Sequence, residues 1–168
     1  MSELNVAAHS PHLVGLFPIS MTLAPGSLFA AECAPFGYQN ISATVCRIDT
    51  REERLRLFHT DEKGRPLKYF SGVNRLLKAS NERLAFAMNA GMYHSDFSAV
   101  GLLVMDGKQV QPLNLETADG NFFLKPNGVF LVSDRGASVI ESSRYPSLNE
   151  NVSIATQSGP MLLLDGAL

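Results

Sequence analysis

Apolar and polar positions alternate along much of this chain, and the period is mostly two. Residues 41–49 (ISATVCRID) are β-branched and alternating, which predicts a strand. Residues 55–59 (LRLFH) continue the alternation beyond a charged, turn-like segment at 50–53, and are expected to be its hairpin partner. Residues 61–66 (DEKGRP) read as a turn: a charged cluster, a glycine and a proline. Residues 68–80 break the period. Phe70, Val73, Leu76 and Leu77 recur at helical spacing with basic residues opposite, and Asn81 is expected to end that helix. Residues 84–88 form an apolar run short enough for a buried strand. Residues 100–105, then Asp106-Gly107, then Lys108-Gln109-Val110 predict a tight hairpin. A second hairpin is expected from 128–132 and 137–140 around the turn at 133–136. Residues 154–156 and 161–164 read as strands on either side of Gly159-Pro160.

Helices do not alternate with strands here, so a doubly wound parallel sheet fits badly. The expected class is α+β, a strand-rich mixed or antiparallel sheet with at least one packed helix. Residues 1–39 are read as an N-terminal arm or degenerate signal-like segment, and residues 40–168 as the domain. The chain stops where a turn has just begun after 162–164, so a truncated domain is expected.

Composition changes this picture little. Hydrophobic residues make up 45% of 168 residues, enough to build one core. The net charge of −2 is spread along the chain, with no basic stripe, so no nucleic-acid partner is expected. No apolar run free of proline is long enough for a membrane span. The first 46 residues hold no Lys or Arg. Residues 13–31 are mostly apolar and end in small residues, like a signal peptide, but lack a basic start and contain Pro18 and Pro25. A periplasmic or secreted protein is expected if that segment works as a signal, a cytoplasmic one if it does not. Cys33 and Cys46 could pair in an exported chain or stand as two small hydrophobes.

The candidate chemistry lies in three polar insertions. The first is Asn89-Ala90-Gly91-Met92-Tyr93-His94-Ser95-Asp96, at the end of an expected strand. Asn89 donates and accepts, Gly91 permits close backbone approach, Tyr93 offers a hydroxyl and a flat face, and His94 and Asp96 titrate. Such groups suit a sugar or phosphate ester; a polar loop whose Asn caps backbone is the plain alternative. The second insertion carries Asp119, Asn121, Lys125 and Asn127 among phenylalanines. Lys125 can meet a phosphate oxygen, or lie over the aromatic rings. The third is Gln157-Ser158-Gly159-Pro160. It lacks the Gly-x-Ser-x-Gly elbow, so Ser158 is read as binding backbone or ligand, and Gly159 as letting the chain pass close to a bound group. The three segments are expected to converge on one anion-tolerant pocket. Asp96, and after it Asp119, are the candidate catalytic carboxylates. Phosphate with carboxylates suits Ca or Mg, although no dense ligand set is visible.

Taken together, FAMNAGMY at 86–93, Val100-Gly101-Leu102, GNFFLKPNGVF at 120–130 and ATQSGPMLLLDG at 155–166 resemble the phosphodiester glycosidase domain family. That family is related to the enzyme that uncovers mannose 6-phosphate by removing N-acetylglucosamine. The resemblance covers roughly residues 40–168. It implies hydrolysis of a sugar-1-phosphodiester in an envelope or extracellular glycan. Lys125, Asn89, Asn127 and backbone near Gly91 or Gly159 would then hold the phosphate while a carboxylate acts at the anomeric carbon. It also implies a C-terminal portion that this chain lacks, so an inactive fragment is one expectation. A non-catalytic carbohydrate-binding or envelope-associated module is the competing class. Oligomeric state is left open.

Overall fold

The computed structural model describes residues 5–9, as backbone, and residues 31–167. The apolar segment read as signal-like falls almost wholly outside them. Ten strands and one α-helix are described: β1 (Asn5–His9), β2 (Glu32–Tyr38), β3 (Ile41–Arg47), β4 (Arg54–Phe58), α1 (Phe70–Ala79), β5 (Phe86–Asn89), β6 (Leu103–Met105), β7 (Lys108–Gln111), β8 (Gly128–Ser133), β9 (Gly136–Glu141) and β10 (Val152–Ser158). Two 3₁₀ turns, Asn121–Phe123 and Ser142–Ser147, complete the regular structure. The fold is α+β, and the described strand pairs are all antiparallel.

The strands form a three-stranded sheet of order β4-β1-β5, a five-stranded sheet of order β7-β6-β10-β8-β9, and a separate ribbon of β2 and β3. The period-two alternation explains how they stack. Leu57 faces the five-stranded sheet, in a cluster with Leu103, Ile154 and Ala99, whereas its neighbour Phe58 packs on Val73 and Leu77 of α1. Leu103 and Ile154 turn inward; their neighbours Leu102, Val104 and Ala155 face the opposite side with Val129 and Leu131. The result is helix, small sheet, large sheet and a covering layer of loops. Burying Val73 and Leu77 against Phe58 contributes roughly 1.5–3 kcal/mol per side chain.

Helix α1 ends as its sequence predicts. Asn81 takes a left-handed backbone (φ 57°), its amide bonds Lys78 O, and the Glu82 amide reaches back to Leu77 O at 2.9 Å. These paired bonds close the last turn in the Schellman manner. Glu82 then meets Arg56 of β4 at 2.9 Å, tying the helix exit to the small sheet. The Asp106-Gly107 turn also forms as expected, with left-handed backbones at both residues.

Two expectations are corrected. Residues 41–49 and 55–59 are not a hairpin: β3 pairs with β2, and β4 pairs with β1. Alternation marks a strand without naming its partner, and here a Cys33–Cys46 disulfide holds β3 to β2. Residues 39–40 form the turn of that hairpin, and residues 5–9 supply the middle strand of the small sheet. Residues 161–164 are not a strand. Met161 bonds Pro126 O at 2.7 Å, and Leu164 and Ala167 close a tight turn around Asp165-Gly166.

Candidate functional site

Strand β5 delivers Asn89 to its end, and the chain then folds back on itself. Tyr93 bridges Ala99, and the His94 amide bonds Ser98 O at 2.9 Å. Asp96 closes the tip, where its Oδ1 accepts from the Ser98 amide at 2.9 Å and the Ser98 hydroxyl at 2.6 Å. These two bonds, the hydroxyl first, hold the Asp96 carboxyl below its ordinary range and keep it ionised. Phe97 adopts a left-handed backbone (φ 71°), uncommon for a bulky residue. Three contacts hold it there. Its carbonyl accepts from His59 Nε2 at 2.5 Å, its ring stacks on Tyr93 with centroids 6.3 Å apart, and Lys68 Nζ lies 4.8 Å above it. The loop is thereby pinned to the region between β4 and α1.

The facing wall is the 3₁₀ turn Asn121–Phe123. Phe122 is buried and meets Phe123 edge-on at 5.1 Å. Between the two walls lies a cavity of about 700 Å³, lined by Asn89, Gly91, Tyr93, His94, Asn121 and Phe123 among others. The chain brings these residues together from segments some thirty positions apart. Among the described residues lining it there is no Asp, Glu, Lys or Arg. Its wall is amide, hydroxyl, imidazole and aromatic ring.

A buried amide network supports that wall from behind. Gln157 is 1% exposed, and its side chain makes four hydrogen bonds. Oε1 accepts from the amides of Leu102 and Asn114, each at 3.0 Å. Nε2 donates to Asn114 O at 2.7 Å and to Asn127 Oδ1 at 2.8 Å. The capacity of a primary amide is then full. Asn127, fully buried, donates in turn to the Phe122 carbonyl. Two glycines make room. A Cβ on Gly101 would sit 2.4 Å from Gln157 Oε1, and one on Gly159 would sit 2.5 Å from Asn127 Nδ2.

The sequence-derived site therefore divides. Asn89, Gly91, Tyr93, His94 and Asn121 line one cavity, and Asp119 lies exposed one residue before Gly120 of its wall. Asp96 belongs to the loop tip, engaged with Ser98. Lys125 and Ser158 are exposed and do not line the cavity. Asn127 and Gln157 spend their amides on framework, and Gly159 is space for Asn127. The polar character that made Asn127 and Gln157 look like ligand groups is what a buried loop junction needs to satisfy its backbone. Sequence reasoning did not reach Thr156, whose hydroxyl bonds Ala90 O at 3.2 Å and fills the space where a Gly91 Cβ would be. It also did not reach Asn114 or the His59 contact. A glycine inside the apolar run at Gly101 was the available signal of close approach. Among the described residues no three His, Cys, Asp or Glu side chains cluster as a metal-binding group, and no helix is long and apolar enough to cross a membrane.

No family model matches the chain, and no solved structure does. It is similar to an uncharacterized protein, YigE, of Escherichia coli (strain K12). The two are 27% identical over 152 residues, which is 89% of this chain and 58% of that protein. The chain thus spans a little over half the length of this relative.

Proposed function

We propose that the protein is part of a phosphodiester glycosidase, and that the cavity between Asn89 and Asn121 receives a sugar joined through its anomeric oxygen to a phosphodiester. One observation carries the reading: two remote polar insertions meet around a cavity whose wall holds no like charge to repel a phosphate. The amides of Asn89 and Asn121 and the imidazole of His94 would hold hydroxyl and phosphate oxygens. Tyr93 and Phe123 offer ring faces to the sugar. The phosphate-holding role first given to Lys125 passes to these groups.

In the reaction, water adds at the anomeric carbon, the carbon–oxygen bond to phosphate breaks, and the products are free sugar and a phosphate monoester. Asp119 and Asp96 each stand one residue from the cavity lining, beside Gly120 and Ser95; Asp96 Oδ1 is engaged by Ser98, so Asp119 is the carboxylate assigned to direct that water. Asp96, held ionised by Ser98, suits a base or an electrostatic stabiliser and not a proton donor. The absence of a carboxylate from the described lining favours the second reading, a module that binds the same ligand without turnover.

The test uses the full chain with a synthetic sugar-1-phosphodiester, following phosphate monoester by phosphorus NMR and binding by saturation transfer. Asn121→Ala and His94→Ala should each weaken binding by up to about tenfold. Asp119→Asn should abolish turnover and spare binding. Binding without turnover in the wild type selects the module. Binding absent at millimolar ligand, or indifferent to both cavity substitutions, defeats both readings.

A further inference from the structure

Among the described residues, the ribbon of β2 and β3 contributes no side chain to the buried core. Every residue from Glu32 to Val45 is exposed, and the two strands pack on each other. An isolated two-stranded ribbon is marginal in water. This one is stapled near its base by the Cys33–Cys46 disulfide. Its register runs without a bulge from Glu32↔Arg47 to Tyr38↔Ile41, so directly opposed residues share a face and successive pairs alternate. One face carries the disulfide, Pro35/Thr44 and Gly37/Ser42. The other carries Glu32/Arg47, Ala34/Val45, Phe36/Ala43 and Tyr38/Ile41. No charged residue occurs between the two cysteines. Phe36 is 53% exposed, Tyr38 61%, Ile41 66% and Val45 52%. A contiguous apolar face of this kind marks an interaction surface.

We propose that this face docks on the same face of a second copy of the chain, about a two-fold axis running along the ribbon. Such an axis keeps each residue at its own height and exchanges the two strands. Each side chain then lies over the cross-strand partner of its own counterpart, with the two ribbons about 10 Å apart. Phe36 meets the small Ala43 of the other copy, and Ala43 meets Phe36. Tyr38 lies over Ile41, Ala34 over Val45. At the base Glu32 faces Arg47, so the one charged pair on the face is complementary to itself. A two-fold across the ribbon would instead set the charged base against the apolar tip.

Area sets the strength. The four large side chains present on the order of 400–500 Å² per copy. Two copies together would bury roughly 900 Å², at the low end of specific interfaces, which implies a weak, reversible dimer.

Sedimentation of the full chain from low to several hundred micromolar tests this. The wild type should pass from monomer to dimer with a dissociation constant in the micromolar range, with no covalent dimer on non-reducing electrophoresis. Phe36→Asp should weaken the dimer by at least about thirtyfold without lowering the melting temperature, because the side chain is exposed in the monomer. Arg47→Glu should weaken it as well, and adding Glu32→Arg should restore it. A chain monomeric throughout overturns the proposal, as does a dimer indifferent to Phe36→Asp. A monomer that floats with lipid vesicles overturns it in favour of a membrane surface.

Discussion

Replacing Gln157 by leucine tests whether the buried amide network holds the cavity wall. Leucine nearly matches the volume, so little of the effect is packing. What is lost is four hydrogen bonds. The Leu102 amide and Asn127 Oδ1 are left in sites that are 1% and 0% exposed. A buried unsatisfied group costs about 1–3 kcal/mol. The Asn114 amide and carbonyl are only partly buried and recover some hydration. Two full penalties and two partial ones give a loss of about 3–4 kcal/mol, below their arithmetic sum because the groups share one site. For a chain of this length that lowers the melting temperature by roughly 10 °C. Urea unfolding followed by circular dichroism measures it, with the slope checked for two-state behaviour. Amide exchange at Leu102 and Asn114 should quicken as well. A loss under about 1 kcal/mol would refute the reasoning, since those polar groups would then have other partners or water.

Three further outcomes are expected. Gly91→Ala places a Cβ 2.4 Å from Thr156 Oγ1, and should destabilise by about 1–3 kcal/mol in a urea titration; Thr156→Ala in the same chain should recover part of that loss by clearing the space. Asp96 has a lowered pKa, so its contribution to stability is present above the ordinary carboxylate range and is lost as pH falls through the lowered value. Ser98→Ala should bring the Asp96 titration back up toward that range by carboxyl-carbon NMR, and an unmoved titration would discard the hydroxyl as the main cause. Reducing Cys33–Cys46 should speed amide exchange in β2 and β3 while leaving the main unfolding transition within about 1 kcal/mol, because the exposed ribbon adds little to the core; a large shift of the main transition would contradict that separation.

The sequence by itself determined the local elements. Helical spacing of Val73, Leu76 and Leu77, a left-handed Asn81, Asp106-Gly107 and the turn before Gly136 each follow from side-chain geometry and backbone sterics within a few residues. It also marked the loop from Asn89 to Asp96 and the segment from Asp119 to Asn127 as polar insertions worth attention. Only the tertiary structure decided which strands pair, because alternation carries no address: β3 went to β2 through a disulfide, and β4 to a strand at residues 5–9. It likewise decided which polar residues look into the cavity. Asn121 and Asn127 are the same residue type six positions apart in the chain, yet one lines the cavity and the other is sealed beneath it by Gln157. Composition cannot separate them. The difference lies in whether a buried amide or solvent stands within hydrogen-bonding distance, and long-range packing sets that.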